Sequence, residues 1–549
     1  MISLKMIIPI KAEKFKSSLT LNIFIYLTTI LILLVYSNIT FASNHYVDNK
    51  SSGSNDGTSW SNAWEDFNSI NWNYIMPGDT IFISGGADSS VYTSQLHIVV
   101  SGDSMKPIVL TASTDINHSG KVIIDVDQIL GNCIYISGHQ NLVIRNLYLR
   151  NSSDAVIIIK RSQNILIENC NIHMTSASGI DISYSQLINI SRCKISTESY
   201  INHQTDGIYS QFNSNNVYQN NHIVISNTET GGHDDCIQSY DDESVTISGN
   251  YIEQRNAKQS NAQGIYITAP AGSGTTRIFN NIFNATQSSS NGITFRGDSG
   301  DPNARVQIVG NTVYGVNLSS QYYITGTTDP LIKNNIGYSV NGNEVLRLRD
   351  NTITNSNLID NNIWKSKDNN PVGVNSSGVT WSHWQSMGYD IHSYISNPQF
   401  NDIANNDFTL KATSVGIDNG QTLFPPYNID IDGRTRPIGL KWDIGAFESD
   451  STESTTSNEI QLIGFDLYQN FPNPFNSVTV IKYKLYNDEN VKIIIYNSIG
   501  EAVKILVDDL VQAGTYSLKV SSDNLSSGVY YYSLITSRSS ETKKMIILK

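Results

Sequence analysis

Short apolar segments and polar turns alternate along this chain, and one six-residue phrase recurs through its central part. The phrase has apolar residues at its first and last positions in nearly every copy, with mostly polar residues between them. The copies begin at Ile144, Ile167, Ile190, Tyr218, Ile247, Ile278, Ile308, Ile332 and Ile359. Successive copies are therefore 23 to 31 residues apart. A fixed phrase at this interval predicts a solenoid in which each coil stacks on the next.

The phrase itself decides which kind of solenoid to expect. It is short, rich in β-branched residues and alternating in polarity, which is typical of a strand. No amphipathic helical run separates the copies, and the leucine-rich consensus of horseshoe repeats is absent. We therefore predict an all-β fold, a right-handed parallel β-helix whose coils stack at roughly 4.8 Å.

The fourth position of the phrase predicts a polar ladder inside the helix. It holds Leu147, Cys170, Cys193, Asn221, Asn250, Asn281, Asn311, Asn335 and Asn362. Stacked amides can hydrogen bond to one another and to the turn backbone, so the six asparagines are expected to have a structural role. Cys170 and Cys193 occupy this position one coil apart, and we expect them to be stacked core thiols, with a disulfide as the alternative.

A second strand recurs in the same coils and predicts an outer sheet face. Its third position, as in Ile180 and Ile208, is expected in the core. Its fourth position is then expected to face solvent on one continuous sheet. That position holds Tyr135, Ile157, Asp181, Tyr209, Gln238, Tyr266 and Thr294.

Both open ends of the helix need a cover. Residues 59–70 contain two Trp and one Phe, and we predict an amphipathic helix there that plugs the N-terminal end. Residues 77–83 are expected to start the first coil. Residues 397–448 resemble the closing segment of secreted β-helix proteins, which implies that the helix ends there.

The N-terminus predicts export. Four lysines precede an apolar stretch from residue 19 to about 35, and small residues follow near Ala42. This is the pattern of a secretory signal peptide, predicted over residues 1–42. A membrane anchor is the alternative, since the apolar run is just long enough to span a bilayer.

The C-terminal region has a different pattern. A Ser/Thr-rich linker over 451–458 separates the β-helix domain, 43–450, from residues 459–549, where strands alternate with Gly turns. This predicts a small antiparallel β-sandwich. The motifs at 470–476, 491–496, 513–516, 527–531 and 543–549 resemble the type A sorting domain of the type IX secretion system. The resemblance implies that the secretion machinery is a partner and that the protein is secreted or held at the outer-membrane cell surface.

The negative net charge of the chain disfavours some classes of binding partner. The net charge is −13, which disfavours nucleic acid and anionic membranes because both would be repelled. We expect a monomer whose substrate or ligand is a polysaccharide.

Candidate chemistry lies in residues 203–208 and, one coil later, 231–237. Asp206 and Asp235 share a register, Asp234 adjoins, and His233 is close. Carboxylates this close raise at least one pKa and so produce an acid beside a base. Alternatively, a calcium ion lies among the three carboxylates, since it prefers oxygen ligands.

These residues resemble the polygalacturonase family of inverting glycoside hydrolases over about residues 203–297. The resemblance implies that Asp206, Asp234 and Asp235 are the acid and the bases that activate water. The sequence departs from the family where Gln263 replaces a histidine, and Arg296 alone remains of a basic phrase. We expect substrate contacts from Tyr209, Gln238, Gln263, Tyr266 and Arg296.

Three other interpretations remain open. A calcium-assisted polysaccharide lyase would use the carboxylates, with Asp181, as ligands, and one of Arg296, Lys258, Arg255 or His233 as base. A non-catalytic glycan-binding protein or adhesin would need only the outer face. The acidic residues could also simply cap turns. Every enzymatic reading requires that positions 206, 234 and 235 emerge together on the outer wall.

Overall fold

The computed structural model describes residues 42–548 apart from several short segments. The segments left out are 176, 198–205, 227–233, 256–261, 271–273, 286–290, 298–303, 316–318, 343, 376, 450–464, 471, 486–487, 498–501, 524 and 537–539. The predicted signal peptide, 1–42, therefore lies almost wholly outside the described residues. Within the described part, no helix is both long and apolar enough to cross a bilayer.

Three long parallel sheets confirm the β-helix. Sheet A contains strands Asn44–Val47, Thr80–Ile83, Ile108–Ala112, Gln140–Arg145, Gln163–Glu168, Gln186–Ser191, Val217–Gln219, Thr246–Ser248, Thr275–Phe279, Arg305–Val309, Leu331–Lys333 and Ile359–Asp360. Sheet B contains Ser89–Tyr92, Lys121–Asp125, Tyr148–Arg150, Asn171–Met174, Lys194–Thr197, His222–Ser226, Tyr251–Arg255, Ile282–Ala285, Thr312–Gly315, Ile336–Ser339 and Ile363–Lys365. Sheet C contains Leu96–Ile98, Ile134–Ser137, Ile157–Lys160, Ile180–Ser183, Ile208–Gln211, Ile237–Tyr240, Ile265–Ala269, Ile293–Gly297, Tyr322–Thr325, Leu346–Arg349, Val372–Val374 and the antiparallel Ser377–Val379.

The turn from sheet A to sheet B explains the recurring phrase. Its third position is left-handed, as in Asn220 with φ 56° and Gly249 with φ 66°, a conformation that Gly and Asn tolerate best. The fourth position forms the predicted asparagine ladder. The backbone N–H of Asn250 donates to Oδ1 of Asn281 at 3.0 Å, and that of Asn281 donates to Oδ1 of Asn311 at 3.0 Å. The ladder is therefore confirmed as a structural feature.

The sulfur-containing positions of this ladder are also as expected. Cys170 and Cys193 are buried and carry free thiols. The backbone N–H of Cys193 donates to Oδ1 of Asn221 at 2.9 Å, so the ladder continues into the cysteine coil. The prediction of stacked core thiols is confirmed.

The second recurring strand is the sheet C strand, and its register is confirmed in all but one coil. Ile134, Ile180 and Ile208 face the core and their successors face outward. The exception is the coil in which Ile157, not Val156, pairs with Ile134 and Ile180. Ile157 is therefore in the core and Ile158 faces outward. The sequence could not fix this register, because consecutive apolar residues carry no alternation.

The N-terminal cover differs from the prediction. Residues 59–70 form no amphipathic helix; three short 3₁₀ turns, Trp60–Asn62, Phe67–Ser69 and Trp72–Tyr74, stand in this region. Trp64 and Phe67 nevertheless pack onto the central core, so the expected burial is present without the helix. The first strand of sheet A is Asn44–Val47, which pairs with Thr80–Ile83. The coils thus begin earlier than residues 77–83.

The C-terminal end is covered by the short helix Trp381–Ser386, whose Trp384 joins the central core. Residues beyond it fold back along the outside. Their strands Phe400–Asp402 and Asp407–Leu410 and their buried Ile444 pack with Ile336 and Ile363 of sheet B. The 3₁₀ turns Ser356–Leu358 and Ile403–Asn405 complete this region. Residues 397–448 therefore follow the end of the helix, as predicted, but they pack along its side.

The C-terminal domain is the predicted antiparallel sandwich. One sheet contains Phe465–Leu467, Val478–Leu485 and Gly514–Ser521; the other contains Glu489–Tyr496, Ala502–Val511, Gly528–Ile535 and Ser540–Ile547. Ile481 from the first sheet and Ile493 from the second share one core cluster, as expected of two sheets packed face to face.

Candidate functional site

The outer face of sheet C is the surface on which the predicted substrate contacts meet. Its strands stack in register, so outward side chains form two rows along the helix axis. The first row is His97, Tyr135, Ile158, Asp181, Tyr209, Gln238, Tyr266, Thr294, Tyr323 and Arg347. The second row is Ser137, Lys160, Ser183, Gln211, Tyr240, Thr268, Arg296, Thr325 and Arg349. Phenol, amide and guanidinium groups therefore dominate this face.

Four of the five predicted contact residues lie on this face, and three of them are accessible there. Tyr209 and Tyr266 are half-buried, and Arg296 is exposed. Nη1 of Arg296 donates to the hydroxyl of Tyr266 at 3.1 Å, and the hydroxyl of Tyr209 donates to Oε1 of Gln211 at 3.3 Å. These bonds orient two separate pairs on the face, Tyr209 with Gln211 and Tyr266 with Arg296.

The two predicted glutamine contacts are less accessible. Gln238 occupies the outward row but is buried. Gln263 is also buried and lies in the turn before its strand, where its backbone N–H donates to Oδ1 of Asp235 at 2.7 Å. Gln263 therefore supports the neighbouring coil and lies off the outer face, and its contact with substrate stays a prediction.

The three carboxylates do not emerge on the outer wall. Asp206 is 1% exposed, and Asp234 and Asp235 are 0% exposed. The expected shared register of Asp206 and Asp235 is present, because the backbone N–H of Asp235 donates to Oδ1 of Asp206 at 2.9 Å. The carboxylates thus stack from coil to coil inside the turn, and the expectation that they face outward is wrong.

Gly207 shows why these carboxylates stay inside. An outward orientation would need a kink between Asp206 and the strand, but Gly207 is not among the residues with positive φ. A Cβ at this position would lie 2.4 Å from the carbonyl oxygen of Cys236 and 2.7 Å from Cγ2 of Ile223. Glycine is therefore required by the close stacking of coils, because a side chain here would clash with the next coil and with the core.

Burial changes the titration of the stacked carboxyl groups. Desolvation raises the pKa of Asp206 and of Asp235 well above the ordinary carboxyl range, and repulsion from neighbouring Asp carboxylates adds to this. Each carboxyl group accepts a hydrogen bond from a backbone N–H, which favours its ionised form and lowers its pKa. Desolvation is the larger effect, so the pKa remains raised. Both groups therefore tend to hold protons, as a buried acid without a cation does.

The other candidate bases and ligands do not gather here. His233 and Lys258 lie outside the described residues. Arg255 is on sheet B and pairs with Glu253, with 2.7 Å between Nε and Oε1. Among the described residues there is no group of three or more His, Cys, Asp or Glu side chains placed to hold a metal ion. Asp181 faces outward, and desolvation raises its pKa.

Asp242 is a further buried carboxylate, which sequence reasoning did not indicate. It stands in the acidic run 241–243, and such runs are ordinarily solvated, yet Asp242 is 0% exposed. Its carboxylate accepts hydrogen bonds from the hydroxyl groups of Ser210 and Ser239 and from the backbone N–H of Asn213. Desolvation raises the pKa of Asp242. The alternation Ile237–Tyr240 carries the signal, since it places Ser239 in the core.

Two outward tyrosines, Tyr240 and Tyr323, were also missed. Tyr240 follows Gln211 in the second row and Tyr323 follows Thr294 in the first. Tyr323 stands one residue after the inward Tyr322, and Tyr240 stands three residues after the inward Ile237. The alternation that places Tyr209 outward would have placed both of them.

Protein-family models match both the β-helix and the C-terminal domain of the chain. The model of the right-handed β-helix region matches residues 132–313, and the model of the secretion system C-terminal sorting domain matches residues 469–548. The sorting domain indicates export by the type IX machinery and an extracellular or cell-surface location. No curated protein matches the sequence.

Solved structures with the same fold are distant. A GH136 lacto-N-biosidase from Eubacterium ramulus is 10% identical, with 65% of this chain and 67% of that chain covered and a TM-score of 0.41. PfbA, a surface adhesin of Streptococcus pneumoniae, is 11% identical, with coverages of 62% and 93% and a TM-score of 0.36. The enzymatically active domain of bacteriophage CBA120 tailspike protein 2 is 12% identical, with coverages of 93% and 76% and a TM-score of 0.28. The three parallel sheets and the two family models show that the chain is a right-handed parallel β-helix followed by a secretion system C-terminal sorting domain.

Proposed function

We propose that this exported protein binds a polysaccharide along the outer face of sheet C and holds it without cleaving it. The observation that carries the proposal is the composition of the two outward rows. Among their described residues, Asp181 is the only carboxylate, whereas tyrosines recur along the first row and Tyr240 adds one in the second. A glycosidase needs a pair of carboxyl groups at the sugar, and this face presents one.

The chemistry of the face suits sugar rings. The face of a pyranose ring is lined by C–H bonds that pack on aromatic rings, while its hydroxyl groups need donors and acceptors at the rim. Tyr209, Tyr266 and Tyr323 supply rings, and Gln211 and Arg296 supply polar groups. Because the rows run parallel to the helix axis, an extended chain can contact several coils at once, which adds affinity.

Arg296 suggests which polysaccharides to test first. Its hydrogen-bond partner is the neutral hydroxyl of Tyr266, so its charge is not neutralised by that contact. In a chain with net charge −13, a guanidinium of this kind is a favourable contact for a uronate carboxylate. Glycans that contain uronic acids should therefore be included beside neutral ones.

Acid–base hydrolysis is the second candidate, because Asp206 and Asp235 stack on consecutive coils with raised pKa values. In this reading Asp206, Asp234, Asp235 and His233 perform the reaction. Substrate would have to reach carboxyl groups that are almost fully buried, which is why we place hydrolysis second. A lyase that holds calcium on the same carboxylates would face the same barrier.

The test is retention and product formation with the full-length exported protein. Affinity electrophoresis through gels that contain single polysaccharides should retard the protein, while reducing ends and unsaturated ends stay at background. Replacing Tyr209 and Tyr266 by Ala should weaken retention by at least about tenfold. Tyr74→Ala is the matched control, since Tyr74 is 64% exposed on an N-terminal turn. Release of reducing ends would favour the hydrolase, and new unsaturated ends would favour the lyase; no retention by any glycan would overturn the proposal.

A further inference from the structure

The turns from sheet C to sheet A carry a second aromatic surface. Arg161, Tyr184 and Phe212 each follow the last residue of a sheet C strand, and they stand in consecutive coils. Together with Gln140, Gln163 and Gln186 they line an open pocket of about 410 Å³. We call these six residues the turn groove.

The aromatic residues of the turn groove hold an unfavourable backbone conformation. Tyr184 has φ 52° and Phe212 has φ 57°, in the left-handed region that large L-residues rarely adopt. The same position holds Gly138 in an earlier coil and Asp241 in a later one. Gly and Asp can therefore form this turn, so the fold itself does not require aromatic rings here. Large side chains in a strained turn that does not need them point to a binding role.

The rings are exposed and stacked on one another. Tyr184 is 59% exposed and Phe212 is 43% exposed. Their ring centroids are 5.2 Å apart with an interplanar angle of 24°. Arg161 lies over the Tyr184 ring at 5.9 Å, and Tyr240 meets Phe212 edge-on at 6.0 Å. An exposed aromatic run of this length on a soluble protein marks an interaction surface.

The opposite side of the groove is a row of amides. Gln140, Gln163 and Gln186 stand in register at the start of consecutive sheet A strands. Their side-chain amides form no hydrogen bond with other described residues, whereas their backbone groups do. Each amide thus presents a donor and an acceptor to the groove. Among its described lining residues the groove has no carboxylate.

We propose that the turn groove is a second glycan subsite, in which sugar rings pack on Tyr184 and Phe212 and their hydroxyl groups bond to the three glutamines. The proposal rests on the proposed function, since it extends the same ligand beyond the face of sheet C. Tyr240 belongs to the second outward row of that face and contacts Phe212, so the two surfaces are continuous. A row of rings facing a row of amides at coil spacing matches a glycan chain parallel to the helix axis. A protein partner would instead favour a dry apolar centre.

The test uses variants that should improve folding while they damage binding. Tyr184→Asn and Phe212→Asn remove the rings and place a residue that tolerates the left-handed conformation. We expect the double variant to melt at the wild-type temperature or above, and to lose glycan retention by about tenfold or more. Leu187→Asn is the matched control, because Leu187 has φ 56°, is 47% exposed and is not in the groove lining. It should also melt at the wild-type temperature or above, with unchanged retention.

Three outcomes separate the two proposals. Retention lost in the groove variant but kept in Leu187→Asn supports the subsite. Retention kept in the groove variant but lost when Tyr209 and Tyr266 are replaced overturns the subsite and leaves the proposed function standing. If the wild-type protein is retained by no polysaccharide, both proposals are overturned.

Discussion

Two side-chain ladders run through this β-helix, and they differ in chemistry. In the turns from sheet A to sheet B, asparagines from Asn221 to Asn362 bond from coil to coil. In the turns from sheet B to sheet C, Asp206 and Asp235 also bond from coil to coil, but each accepts a backbone N–H from the following coil, whereas each asparagine accepts one from the preceding coil. An asparagine amide also donates to the next amide, as Nδ2 of Asn250 does to Oδ1 of Asn281, so the first ladder extends from coil to coil. Among the described residues the second ladder has two links, because the coil after Asp235 has Gln263 in place of an aspartate.

This difference bears on function. The asparagine ladder has no titratable group and is neutral at every pH. The carboxyl groups of Asp206 and Asp235 do titrate, and desolvation raises their pKa values. Raised carboxyl pKa values next to one another are a feature of catalytic sites, yet structural turns produce them as well. The two ladders therefore show that an aspartate motif of this kind is shared by catalytic sites and structural turns.

The largest effect is expected from breaking the asparagine ladder at its middle. Asn281→Ala removes the acceptor of the Asn250 backbone N–H and the amide that donates to the carbonyl oxygen of Ile247 at 2.9 Å. Several buried groups lose their partners at once, so the free energy of unfolding should fall by about 3–5 kcal/mol. Urea unfolding followed by tyrosine and tryptophan fluorescence measures it. Asn68→Ala on the exposed N-terminal turn is the control, and a fall below about 1 kcal/mol would contradict the prediction.

A smaller effect is expected from the acidic ladder. Asp235→Ala leaves the backbone N–H of Gln263 without its acceptor, which should cost about 1–3 kcal/mol of unfolding free energy. The loss is partly offset because a buried carboxyl group is also removed. The same urea experiment gives the value. If Asp235→Ala lowered the free energy of unfolding as much as Asn281→Ala does, the two ladders would stabilise the fold equally, and the prediction would be wrong.

Asp235→Asn separates the charge from the hydrogen bond. Because the folded pKa of Asp235 is raised, its contribution to stability is fully present below the ordinary carboxyl pKa of about 3.9 and is lost as pH rises through the folded pKa. Asparagine keeps an acceptor for Gln263 and carries no charge. We expect stability at neutral pH equal to or above that of the wild type, and a flatter decline of stability from about pH 4 upward.

Thermal melts of wild type and variant across this pH range check the prediction. Asp206→Asn should behave in the same way, since it occupies the preceding link. If instead the wild type cleaves a glycan and Asp235→Asn folds normally but is inactive, the hydrolase reading gains and the structural reading fails.

The sequence predicts the solenoid well because its information is periodic. Each copy of the phrase repeats the same demand for a left-handed residue followed by a ladder residue, so Asn220, Asn221 and their equivalents could be placed without coordinates. The register of sheet C followed from alternation in every coil except that of Ile157, where five apolar residues in a row removed the signal.

The candidate site was harder to predict than the fold, because the orientation of its carboxyl groups depends on the backbone conformation of one residue. Whether Asp206 faces in or out depends on the conformation of Gly207, and glycine permits either. The exposed rings of Tyr184 and Phe212 were missed for a related reason. They stand at a turn position where Gly or Asn is expected, so nothing in the local pattern predicted left-handed aromatic residues.

The smallest effect should come from extending the asparagine ladder by one coil. Cys193 occupies a ladder position, and its Sγ lies 3.7 Å from the carbonyl oxygen of Ile167, where the amide of an asparagine would donate. Cys193→Asn should therefore change the free energy of unfolding by no more than about 0.5–1 kcal/mol, since its new polar atoms find partners at Ile167 and Asn221. Cys133→Asn is the matched control. Cys133 is equally buried but lies outside the ladder. The carbonyl oxygens of Ile124 and Arg150 could accept from a new amide there, but no ladder N–H would donate to its oxygen, so the same substitution should cost about 1–3 kcal/mol. Equal costs at the two positions in urea unfolding would show that position within the ladder does not matter, and the ladder would then be a consequence of the fold rather than one of its causes.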